Sequence, residues 1–61
     1  MEKLTEYLKV HSAMALADMI GAHKAQVYRW ASGQSKPRVD VAIRIEDATN
    51  GAVPVRAWVQ K

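Results

Sequence analysis

Residues 13–30 read Ala13-Met14-Ala15-Leu16-Ala17-Asp18-Met19-Ile20-Gly21-Ala22-His23-Lys24-Ala25-Gln26-Val27-Tyr28-Arg29-Trp30, and their spacing decides the fold. Ala13, Leu16, Ala17 and Ile20 fall at i, i+3, i+4 and i+7, one face of an α-helix. Ser12 stands ahead of that face as an N-cap, because its hydroxyl can accept from the unpaired amides of a first turn. Gly21 ends the helix, as a residue that enters the left-handed region without steric cost. Only Ala22 and His23 then precede a second helix, predicted over 24–31, whose buried side is marked by Val27 and Trp30. Two short helices joined by a tight glycine turn form a helix-turn-helix. Their steep crossing requires a small residue at the contact, a glycine opening the turn and apolar anchors beneath the second helix. Ala17, Gly21, Val27 and Trp30 supply these in order. Met14 and Met19 flank the stripe and are expected to fill gaps in the core.

Working outward, Leu4, Tyr7 and Leu8 place an apolar stripe on a first helix over about 2–10. Ser32-Gly33-Gln34-Ser35-Lys36-Pro37 is a loop by composition. Residues 38–49 form a fourth helix with Val39, Ala42, Ile43 and Glu46 on one face, widened by Ile45 and Ala48, and Asn50-Gly51 is its stop signal. Pro54 suits the first turn of a last short helix carrying Val55, Trp58 and Val59, although the valine alternation also fits a short strand. The expected fold is all-α, a compact bundle of four to five short helices containing the helix-turn-helix. Residues 1–61 are expected to form one domain, with 52–61 a short apolar tail. That tail, with Val53, Val55, Trp58 and Val59, either folds back on the first and fourth helices or pairs with a second copy. A weak dimer through Val55 and Trp58 is the favoured outcome.

The chain has 61 residues and no cysteine, so neither a disulfide nor a cysteine-based zinc site is available. A chain this short buries only about 60% of its unfolded surface, which leaves modest stability and little room for a catalytic cleft. It carries no Ser/His/Asp set, no paired catalytic carboxylates and no phosphate-cradling glycine loop, so an enzyme is not expected. His11 and His23 are too few and too far apart for a metal site. No apolar run is long enough to span a membrane, and the first residues lack a signal-peptide pattern. The net charge is +3. Residues 22–38 hold Lys24, Arg29, Lys36 and Arg38 with no acid, so the whole excess lies in one segment. Clustered positive charge in a small domain is either a solvated face or a footprint for a polyanion.

The stretch Ala13–Trp30, with Leu16-Ala17, Gly21, Val27 and Trp30, resembles the helix-turn-helix of phage Cro repressors. Ser32-Gly33 and Pro37 through Gly51 are similar to the fourth helix and stop of the same lambda-repressor/Cro-like, all-helical group, which includes antitoxin-type regulators. The resemblance covers roughly residues 2–51. Two positions depart from it: Ala22 replaces a larger aliphatic under the turn, a loss Met19 or Tyr7 would have to offset, and His23 replaces a Ser or Thr cap. The resemblance implies that the second helix of the motif enters the major groove of DNA. Lys24, Ala25, Tyr28 and Arg29 are then the base-facing candidates. Arg29 leads them, because a guanidinium bonds guanine O6 and N7 in bidentate fashion. Lys24 donates to guanine or to a phosphate, and Ala25 offers only apolar contact, for example with a thymine methyl. Tyr28 reaches a phosphate or sugar, or packs on the loop. The backbone candidates are Ser12, His23, Gln26, Lys36 and Arg38, which would position the helix without reading sequence.

The resemblance further implies a repressor acting in the cytoplasm of a bacterial host. It would occupy a double-stranded operator as a weak homodimer, with no cofactor, no small-molecule effector and no membrane partner. The competing expectation is an antitoxin-type or protein-interaction module that uses the apolar tail.

Overall fold

The α2–α3 pair organises everything around it. The computed structural model describes residues 1–58, and Val59 lies outside the described residues. The elements are α1 (Glu2–Leu8), α2 (Ala13–Ile20), α3 (Lys24–Ser32), α4 (Val39–Ala48) and a short 3-10 helix (Val55–Trp58). No strand occurs among the described residues, so the all-α bundle expected from the sequence is the fold, and its last element is helical. The predicted fourth-helix ends are caps here, with Arg38 at the start and Thr49 at the end of α4. Past α1, Lys9 and Val10 form a turn.

Ala13, Leu16, Ala17 and Ile20 are all buried, as their spacing requires, and meet Val27 and Trp30 from α3. Around α2 pack both α3 and α4, while α1 packs on α3. Leu4 is fully buried, and the Met1 ammonium donates to the Ala31 carbonyl at 2.6 Å, tying the start of α1 to the end of α3. Gly21 sits at φ 74°, and the Ala22 amide reaches back to the Ala17 carbonyl at 2.9 Å. That bond pairs an end carbonyl of α2 and needs the left-handed residue before it.

Three expectations are corrected. Met14 and Met19 are not core residues; they are 54% and 57% exposed. Each lies about 100° around the helix from a buried neighbour, outside the stripe that Ala13 and Ile20 define. Met19 therefore does not offset the small Ala22, whereas Tyr7 is half-buried against the core. The buried face of α4 is Ala42 and Ile45, continued by Thr49, while Val39 and Ile43 are 71% and 48% exposed. Trp58 is 7% exposed and belongs to the core cluster, so its ring packs within the chain, as in the fold-back alternative for the tail. The 3-10 helix packs on α4, and Val55 is half-buried with it. Val53 is also fully buried, so among the described residues of the tail Val53 and Trp58 both belong to the core.

Two side chains of α4 and its cap hold the tail in place. The buried Thr49 hydroxyl donates to the Ile45 carbonyl at 2.8 Å and accepts from the Val53 amide at 3.1 Å. Glu46 Oε1 accepts from the Val55 amide at 3.2 Å, at the start of the 3-10 helix. Removing an acceptor from a buried amide costs about 1–3 kcal/mol. Thr49→Val, nearly the same shape without the hydroxyl, is expected to lose about that much in urea unfolding, and Thr49→Ser to retain most of it. Equal midpoints for Thr49→Val and wild type would show that the Thr49–Val53 bond holds nothing.

Candidate nucleic-acid interface

Burial of Val27 and Trp30 fixes which way α3 faces. With those two anchored against α1 and α2, the opposite arc of the helix carries Lys24, Ala25, Tyr28 and Arg29, all exposed. The arrangement follows from helical geometry: these residues span less than half a turn of circumference around the axis. The four base-facing candidates of the sequence thus share one solvent-facing surface on the second helix of the motif. Chemically this surface holds a bidentate donor fork at Arg29, a mobile ammonium at Lys24 and a phenol at Tyr28. Ala25 adds only a methyl group to this surface.

The start of α3 is capped in an unusual way. His23 is the N-cap residue, with extended backbone, and its amide donates to Gln26 Oε1 at 3.1 Å. Gln26 supplies the returning half of a capping box, which holds the entry angle of the recognition helix. It is half-buried, and with its oxygen engaged its amide NH2 is what remains for a phosphate. The signal was present in the sequence as a residue of the Gln/Glu class three positions after the cap, but a histidine in the Ser/Thr position obscured it. The His23 side chain remains exposed beside this turn.

Ser12 caps α2 as expected. Its hydroxyl oxygen accepts from the amides of Met14 and Ala15 at 3.1 and 3.3 Å. Those amides are therefore already paired, and what the cap retains for an anion is its own hydroxyl proton. Lys36 is exposed and lies beside the end of α3, where it shares the wall of a cavity of about 250 Å3 with Trp30, Gly33 and Trp58. Arg38 stands apart from these at the start of α4, fully in solvent, with Nε 3.8 Å from the Asp40 carboxylate. An exposed pair at that distance is worth little and leaves the guanidinium free to move. Of the sequence candidates, the structure gathers four on α3, holds Ser12, His23 and Gln26 at the two helix starts and leaves Lys36 and Arg38 on the segment that follows. No group of His, Asp or Glu suited to a metal ion occurs among the described residues, and no helix there is long and apolar enough to cross a membrane.

A tight two-helix unit whose second helix turns a basic, polar face to solvent defines a helix-turn-helix module. The chain belongs to the helix-turn-helix family, whose Cro/C1-type model matches residues 12–54. That family is one of DNA-binding transcription regulators and is generally non-enzymatic. Comparison with curated proteins and with solved structures gives no match.

Proposed function

We propose that this chain is a sequence-specific repressor of the phage Cro type, a single DNA-binding unit that works as a dimer on operator half-sites in a bacterial host cytoplasm. The observation that carries the proposal is the common outward face of Lys24, Ala25, Tyr28 and Arg29, held in place from beneath by Val27 and Trp30. In this reading α3 lies in the major groove, Arg29 reads guanine, and Lys24 bonds a base or the neighbouring phosphate. Ser12, His23, Gln26, Lys36 and Arg38 grip the two backbones and set the register. Repression follows from occupancy of an operator that overlaps a promoter, so protein concentration and operator affinity set the response.

Duplex binding measured against salt for wild type, Arg29→Ala and Lys36→Ala tests this. Arg29→Ala is expected to lose about 1–3 kcal/mol on the cognate site and much less on other sequences. Lys36→Ala is expected to weaken every duplex alike and to reduce the salt slope by about one. If both variants bind every duplex as wild type does, the repressor reading fails.

A further inference from the structure

Helix α4 carries more apolar residues than one buried face can use. With Ala42 and Ile45 in the core, Val39 and Ile43 stand in water on the far side, and Asp40, Arg44 and Asp47 share that side. Next to it Met19 of α2 is also in water, and Met19, Arg44, Asp47 and Ala48 line an open groove of about 370 Å3. Neither Arg44 nor Asp47 has an ion-pair partner among the described residues, whose only pairs are Lys9–Glu6 and Arg38–Asp40. Apolar side chains in water beside two unpaired opposite charges one turn apart are the elements of a self-complementary surface.

We propose that the outer face of α4, with Met19 beside it, is a two-fold interface and that its occupant is a second copy of this chain. The charges set the register. In an antiparallel pairing that lays Arg44 against Asp47 of the second copy, symmetry lays Asp47 against its Arg44. Ile43, about 40° around the helix from Asp47, then lies on the flank of the seam, where its burial adds to both ion pairs. One helix face per copy buries little area, so the association is weak and is completed on DNA.

The interface rests on the dimer in the proposed function and deepens it by giving that dimer a surface other than Val55 and Trp58. The scale agrees with operator binding. Because α3 packs on α2 and α2 on α4, two helix spacings of about 8–10 Å place α4 no more than about 20 Å from α3. Half-sites about 34 Å apart need each recognition helix about 17 Å from the two-fold axis, a distance that lies within this bound.

The test is sedimentation of the full chain without DNA, from micromolar to millimolar concentration, for wild type, Arg44→Asp, Asp47→Arg, the double swap and Ile43→Asp. Wild type is expected to move from one copy to two across the series. Each single variant is expected to associate about tenfold more weakly, equivalent to about 1.4 kcal/mol, and the double swap to recover wild-type association. Recovery in the double swap separates lost pairing from lost folding. A wild type that stays a single copy throughout, or single variants that associate as wild type does, overturns the interface. Loss of DNA binding in Arg29→Ala with association intact leaves it standing, whereas association with normal salt response and no sequence preference sinks the repressor reading alone.

Discussion

Trp30→Ala is expected to leave the chain largely unfolded at room temperature. Trp30 is 6% exposed and is the residue that joins three parts of the fold: it lies on α3, packs in the cluster with Leu4 and Leu16, and walls the cavity opposite Trp58. Truncating a buried tryptophan costs about 3–5 kcal/mol, the lost transfer energy plus the cavity that cannot collapse. A domain of this length has a total stability of roughly 3–9 kcal/mol, so the loss removes between about a third of it and all of it, and at the low end expected for so short a chain nothing is left. The existing cavity beside Trp30 makes relaxation harder, because the atoms that would move in are already absent from one side. Far-UV circular dichroism against temperature reads the outcome directly. A melting midpoint within a few degrees of wild type would mean that α3 is held by Val27 alone. The same variant separates folding from recognition. If Trp30 acts only through stability, cognate duplex at high concentration should refold the variant, since binding to the native state draws the equilibrium toward it.

The recognition unit was the most legible part of the sequence because several independent constraints coincide there. Ser12, the Ala13–Ile20 stripe, Gly21 and the Val27/Trp30 anchors each point to the same two helices, and each is where it must be. Once Val27 and Trp30 are assigned to the inside, helical geometry leaves Lys24, Ala25, Tyr28 and Arg29 no other side to occupy. In α4 the constraints do not coincide. Val39, Val41, Ile43 and Ile45 occupy alternate positions, which spreads apolar side chains around most of a helix and leaves several stripes equally eligible for burial. The choice is made by tertiary packing: α4 meets α2 as well as the tail, and bonds from Thr49 to Val53 and from Glu46 to Val55 hold the tail against it. Bonds from a side chain to a backbone amide several residues away follow no spacing rule, so neither they nor the resulting exposure of Ile43 can be read from the chain alone. The methionines illustrate a related limit. Composition marks Met14 and Met19 as core candidates, but α2 has only one face to give and its alanines already occupy it.

Trp58→Ala is the sharpest discrimination between a tail that belongs to the core and a tail reserved for a partner. For an interface residue, truncation would leave the isolated chain as stable as before and change only association. For the buried residue found here, it should cost about 3–5 kcal/mol of stability at every protein concentration. The indole contributes area at the expense of one polar group: Trp58 Nε1 is buried with no hydrogen-bond partner among the described residues. Leaving that donor unpaired costs about 1–3 kcal/mol, which offsets part of what the ring gains by burial. Two variants therefore separate the contributions. Trp58→Ala loses the ring and the unpaired donor together, and its cost falls toward the low end of the range. Trp58→Phe keeps most of the apolar area and removes the donor, so it is expected to lie within about 1 kcal/mol of wild type. Urea unfolding of both variants at two protein concentrations is the measurement. If Trp58→Ala leaves the unfolding curve unchanged at low concentration and shifts it only at high concentration, the ring serves a second copy and not the fold. If Trp58→Phe is as damaging as Trp58→Ala, the N–H is paired in solution and the tail lies differently over α4. The expected order, with phenylalanine near wild type and alanine far below it at both concentrations, would leave the outer face of α4 as the surface on which a second copy has to be sought.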